Sequence, residues 1–296
     1  MFKKFIGGFL LAVMLQGSAY AGTFASPEKV IVPNRVGEVY SSISSKVTRN
    51  PDDYESAEVF ANFREIRTTG IKARTVYRSS NPMDIHSNKV RHTYADRLAM
   101  LAGIKAEIDL AENENEVEEN FKNSGARKKY CYSLYQKGKI YSVHLRGDGL
   151  ESRDWPNIAE AFRFMLRNDG PYLVHCRLGR DRAGLFSMLC SALAGASIED
   201  LRRDYLQTFC NYYHIKPQSY EYEILRKFKA DKIIYYIAHP ECANDLQGVA
   251  DNISLYGIVP EEAAVNFFKV ALKFSDKEIK DLQAKLKIEK VNEAML

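Results

Sequence analysis

Apolar and polar positions follow two rhythms along this chain. Short strand-like runs recur at 74–79, 104–110, 139–145 and 172–175, bounded by turn-forming residues. Between them the period lengthens. Apolar residues at helical spacing span 88–102 and stop at Gly103, and a second helix is opened by Pro156 and closed near Gly170. The stretch 183–196 is apolar almost all round, which predicts a helix buried in the core. Strands separated by helices imply an α/β fold with a central, mostly parallel sheet flanked by helices on both faces. Ligands of such sheets bind at the carboxyl ends of the strands.

The two ends of the chain depart from this rhythm. Lys3 and Lys4 precede an apolar run from Phe5 to Leu15, and Ala19-Tyr20-Ala21 offers small residues for cleavage before Gly22. That is the form of a secretory signal peptide over 1–21, and the run is shorter than the roughly 20 residues a spanning helix needs. Export follows, to a periplasm or out of the cell. A polar, Ser-rich and extended lead-in is expected over 22–55, the patterned domain over 56–240, and a helical extension over 241–296. In that extension 260–274 and 276–286 have helical spacing, with Ser275 and Glu278 placed as a capping box. No internal repeat or low-complexity tract is present.

With 296 residues, 46% of them hydrophobic and 27% charged, the chain has an ordinary globular balance. Its formal charge of +4 falls closer to neutrality once Lys3 and Lys4 leave, which gives no argument for nucleic acid. The five cysteines, at 131, 176, 190, 210 and 242, form no close pairs and no zinc-type spacing. His86, His92, His214 and His239 have no ligand spacing either, so no metal is expected.

One segment carries chemistry. Val174-His175-Cys176-Arg177-Leu178-Gly179-Arg180-Asp181-Arg182-Ala183-Gly184 lies between a short buried strand and the buried helix. A loop at a helix N-terminus aims several backbone N–H groups at one spot, and the helix dipole adds positive potential there. Gly179 allows the tight turn around an anion. The same field favours a thiolate at Cys176, and Arg182, six residues on, can return its guanidinium to the anion as a bidentate fork.

In this C-x5-R arrangement the sequence resembles the protein tyrosine and dual-specificity phosphatase superfamily, whose signature His175, Cys176, Gly179 and Arg182 match. Asn62-Phe63-Arg64-Glu65-Ile66, Tyr77-Arg78-Ser79-Ser80 and 103–110 add weaker likeness to bacterial tyrosine phosphatases. The resemblance implies a phosphatase fold over about 56–240 and hydrolysis through a phosphocysteine, without metal or organic cofactor. Cys176 would be the nucleophile and Arg182 the phosphoryl binder. Arg177, Leu178, Gly179, Arg180 and Asp181 would line the phosphate site, with His175 in support. An acid must protonate the leaving oxygen. Asp148, in a loop after a predicted strand, leads; Asp154, which could instead cap the helix at Pro156, and Asp181 follow.

Ala183 departs from the pattern, since the superfamily usually places Ser or Thr there to stabilise the departing thiolate. Slow turnover, or a phosphate-binding module with little of it, follows from that departure. Arg177 and Arg180 add cations suited to a substrate with more than one phosphate. Relatives of this kind act on phosphotyrosine proteins, phosphoinositides or inositol polyphosphates, and all three stay open. Arg202-Arg203 is expected to form a solvated face that a membrane surface would also suit. A sulfur transferase, the other rival, would need neither Arg182 nor a distant Asp.

Overall fold

The computed structural model describes residues 35–43, 46–84, 90–122, 125–243 and 253–288. The segment read as a signal peptide, the lead-in as far as residue 34, and His86 lie outside the described residues.

Five strands form one sheet: β1 (Arg64–Glu65), β2 (Val76–Ser80), β3 (Ala106–Asp109), β4 (Ile140–Ser142) and β5 (Tyr172–Cys176), in the order β1-β2-β5-β3-β4. β1 is antiparallel to β2, and the remaining pairs are parallel. All four expected strands are present. β1 was not expected, because two residues are too few for a period to show. The expected strand at 139–145 is cut to its first half. Beyond Ser142 only two bonds continue the ladder, from Val143 N–H to Asp109 and from Leu145 N–H to Leu110, and the chain then peels away as a loop.

The helices α1 (Arg35–Ile43) and α2 (Ala57–Ala61) precede the sheet, and α3 (Arg91–Leu101) links β2 to β3. Helix α1 corrects the extended lead-in expected over 22–55, because Val39 and Ile43 sit four residues apart on one helical face and bury it in the core. Next, α4 (Glu114–Lys122) and α5 (Tyr130–Gln136) lead into β4, and α6 (Trp155–Arg167) leads into β5. After β5 come α7 (Asp181–Leu193), α8 (Ile198–Tyr213), α9 (Tyr220–Leu225), α10 (Asp231–Ala238), α11 (Pro260–Val270) and α12 (Asp276–Leu286).

Successive side chains of a strand point to opposite faces, and here each face meets its own apolar cluster. Val76, Tyr172 and Val174 join the cluster that includes α7, whereas Tyr77 and Leu173 join Phe63, Ala95, Ala99 and Leu134 on the other side. All five residues of β2 and of β5 are therefore buried, as a sheet covered on both faces requires. From Ala183 to Leu193 every residue of α7 is buried, so it is the central helix its all-round apolarity predicts. Phe162 of α6 stacks on Phe186 of α7 at 4.0 Å and meets Phe268 of α11 edge-on at 4.7 Å. The helices read as a C-terminal extension share this core: Phe267, Phe268, Leu282 and Leu286 belong to the same cluster as α7. The capping box of Ser275 and Glu278 opens α12.

Candidate active site

Cys176 ends β5, Asp181 begins α7, and 177–180 turn between them at the carboxyl ends of the parallel strands. Gly179 has φ +65°, and a Cβ there would sit 2.1 Å from the carbonyl oxygen of Ser79. Only glycine fits so close to β2 in that conformation.

The loop is held from outside by its carbonyls. Asn62 Nδ2 donates to the oxygens of Leu178 and Gly179, each at 3.2 Å, and Arg78 Nη2 donates to those of Gly179 and Arg180, each at 2.8 Å. A trans peptide sends its N–H the opposite way from its C=O. The amides of Arg180 and Asp181 are thus turned to the inner side of the loop, where an anion can take them. Asn62 and Arg78 are anchored in turn by α8. Asp204 accepts from Arg78 Nη1 at 2.7 Å and from Arg64 Nε at 3.1 Å, and Thr208 and Asn211 bond Asn62. Burial alone would raise the Asp204 carboxyl, but Arg64 and Arg78 outweigh it and hold the group below the usual carboxylate range.

Arg182 spends one nitrogen on the scaffold. Its Nη1 donates to the carbonyls of Leu110, at 2.8 Å, and Leu145, at 3.1 Å, which end the β3 and β4 ladders. Its Nε and Nη2 have no hydrogen-bond partner among the described residues. That edge is the two-pronged one that matches a phosphate. Cys176 is 3% exposed. His175 is fully buried behind it, with Nδ1 3.5 Å from Asp109 Oδ1 and Nε2 3.8 Å from Glu107 Oε2. Register puts Asp109 opposite His175, and Glu107, two residues back, shares that face. Burial pushes both carboxyls up, and for Asp109 the charge of Glu112 adds to it.

Arg180 does not serve as a free cation in the loop. Its Nε bonds Asp181 Oδ2 at 2.8 Å, its Nη1 bonds the Tyr213 hydroxyl, and its guanidinium carbon lies 4.9 Å from the Tyr40 ring centroid and 5.5 Å from that of Phe209. Aromatic packing and an internal ion pair therefore take up the side chain, and its amide alone faces the anion position. Arg177 is exposed, and Leu178 packs part-buried against the main core.

The three acid candidates separate. Asp154 is buried and accepts from Arg146 N–H at 3.3 Å, so it ties the loop down; the side-chain cap on α6 that was its other reading is not made. Asp181 accepts from Arg180 and, at 3.2 Å, from the Tyr205 hydroxyl. Its burial works toward a higher value, but Arg180, Lys229 and these hydrogen bonds win and hold its carboxyl low. Asp148 is half-buried between Gly147 and Gly149, both at positive φ, and has one long local bond from Leu150 N–H at 3.4 Å. A Cβ on Gly149 would lie 3.8 Å from Arg182 Cγ, so the Asp148 loop rests on the arginine stem.

Asn62, Arg78 and Asp204 were not expected as site residues. Asn62 and Arg78 lie in the two strings that carried the weaker resemblance, and that was the available signal; Asp204 had none.

Comparisons with known proteins bear on the same elements. The chain matches no curated protein. Among solved structures it is similar to the core catalytic domain of a PP-IP phosphatase from S. cerevisiae in complex with citrate, at 19% identity and a TM-score of 0.33, over 62% of this chain and 94% of that one. Residues 56–287 match the tyrosine phosphatase family, a span that runs from α2 to the end of α12 and takes in the Cys176 loop with the residues that clamp it. By that match the chain belongs to the tyrosine phosphatase family and is a cysteine-dependent phosphoric monoester hydrolase.

Proposed function

We propose that the chain is an exported phosphatase that cleaves phosphate monoesters through a phosphocysteine at Cys176. The observation that carries this reading is the division of labour around 177–182: carbonyls taken up on the outside, amides turned inward, and the Nε and Nη2 edge of Arg182 without a hydrogen-bond partner among the described residues.

In the first step the Cys176 thiolate forms a bond to phosphorus while the bond to the leaving oxygen breaks. Arg182 and the loop amides hold the non-bridging oxygens as their charge grows. Asp148 gives its proton to the leaving oxygen. In the second step Asp148 takes a proton from water, the water oxygen bonds to phosphorus, and the S–P bond breaks to return the thiolate. Asp148 is preferred because Asp154 and Asp181 are committed to structural bonds and Asp181 is held ionised. Phosphotyrosine protein or phosphoinositide is the proposed substrate class, with inositol polyphosphate as the alternative.

The test is phosphate release from a phosphotyrosine peptide, a phosphoinositide and inositol hexakisphosphate, with chelator present. Turnover that ignores the chelator and vanishes in Cys176→Ser is expected. Ligand binding without turnover on any of the three would sink the enzymatic role and leave a binding module. Export through 1–21 is checked by the mass of the purified protein, expected to begin at Gly22.

A further inference from the structure

Lys229 and Lys232 stand near the first residue of α7 and the Asp148 loop, and neither has a salt-bridge partner among the described residues. Between α9 and α10 the chain makes a π-helical turn, Arg226–Ala230. Such turns add a residue to a helix, re-aim the side chains that follow and recur at functional sites. The turn carries Lys229 and α10 carries Lys232, three residues on and on the same face.

Their surroundings place that face. Lys229 Nζ is 5.7 Å from the centroid of the Tyr40 ring, which also receives Arg180, and it adds to the field that keeps Asp181 ionised. Lys232 lies in the field of Asp148. One turn further, Tyr236 feels Asp148 and Asp154 and accepts a hydrogen bond from Trp155 Nε1. The face therefore runs from the first residue of α7 across to the loop of the proposed acid.

An arginine on each of the π turn, the Cys176 loop and α8 is paired. Arg180 is held by Asp181, Arg226 by Glu223 and Asp231, and Arg202 of α8 by Asp231. Lys229 and Lys232 are half-buried as well, and burial draws the Lys232 ammonium below its usual value. A desolvated cation without a partner is costly to keep. With Arg177 and Arg182 they make the mouth of the loop cationic, while Arg180, one of the two extra cations the sequence pointed to, is neutralised by Asp181.

We propose that Lys229 and Lys232 form a second anion subsite beside the Cys176 loop, for a second phosphate on the same substrate molecule as the scissile one. The inference rests on the phosphatase reading and deepens it: the substrate is a polyphosphorylated small molecule or headgroup. A phosphotyrosine peptide, with one phosphate, gains nothing from these lysines.

The measurement is kcat/KM on an inositol bisphosphate divided by kcat/KM on p-nitrophenyl phosphate, for the wild type, the double variant Lys229→Gln/Lys232→Gln, and Lys229→Arg/Lys232→Arg. Because a hydrogen bond to a charged group is worth about tenfold or more, the ratio is expected to fall by about tenfold or more in the Gln variant. The Arg variant should keep it to within about threefold, which also separates charge from folding. An unchanged ratio in the Gln variant overturns the subsite. Running the bisphosphate free in solution and as a lipid headgroup in vesicles distinguishes the source, which is the presentation that shows the larger loss. If the wild type hydrolyses nothing, the phosphatase reading fails separately. The subsite is then read by titrating the bisphosphate against inorganic phosphate into Cys176→Ser with and without the Gln pair: selective weakening of the bisphosphate supports it, and equal affinities overturn it.

Discussion

Ala183 follows Arg182 in the first turn of α7 and is fully buried, at the position where the resemblance expects a hydroxyl. Without that donor, the thiolate released from the phosphocysteine lacks a hydrogen bond that a Ser or Thr would supply. One such bond is worth about 1 kcal/mol net, or roughly fivefold in rate. Ala183→Ser is therefore expected to raise the second step about fivefold, seen with p-nitrophenyl phosphate as a smaller burst and a higher steady rate. An unchanged steady rate would place the slow step before the phosphocysteine. Arg180 teaches the complementary lesson. As a letter in the motif it is a cation beside the nucleophile, but its charge is taken by Asp181 and its plane lies among Tyr40, Phe209 and Tyr213. Those rings come from α1 and α8, so no local reading of 175–184 could have shown where the guanidinium goes.

The phosphate loop is an element whose shape is imposed from outside. Asn62, itself at φ +50° at the C-terminal end of α2, bonds the oxygens of Leu178 and Gly179 as well as Thr208 Oγ1. Asn62→Ala removes the donor to the Leu178 carbonyl and the acceptor of Asn211 Nδ2, while Gly179 keeps Arg78 and Thr208 keeps Arg64. Each buried group left unsatisfied costs about 1–3 kcal/mol. The expected result is a clearly lower urea midpoint together with a lower kcat/KM on p-nitrophenyl phosphate, although Asn62 touches no reacting atom. Full activity would mean that the loop holds its own shape. The strands and α7 were legible because period two and all-round apolarity are local properties. The loop itself was legible because Cys176, Gly179 and Arg182 sit within seven positions. The clamp was not, because Asn62 and its loop partners lie 116 and 117 positions apart and each polar letter reads alone as surface.

At the scale of the molecule the open question is where the folding unit ends. The sequence shows that α12 is amphipathic and capped, but an apolar stripe says only that a helix is covered, not by what. In the structure Ile279, Leu282 and Leu286 of α12 are buried in the cluster that holds α7. The helix is also tied by Arg163 to Glu278 at 2.9 Å, by Lys72 Nζ to the Ala284 carbonyl at 2.8 Å, and by an antiparallel bridge between Ile71 and Lys287. Burying three large aliphatic side chains at about 2 kcal/mol each contributes ~6 kcal/mol, which is comparable to the ~5–15 kcal/mol of a whole domain. The half-buried ion pair of Arg163 with Glu278 adds little to that sum. A chain that ends at Phe274 is therefore expected to lose most of its stability, with a broad or absent thermal transition by near-UV circular dichroism and no p-nitrophenyl phosphatase activity. A separable appendage behaves differently: its removal would leave the melting curve and the rate of the remainder unchanged, and that result would move the boundary of the catalytic unit back toward residue 240.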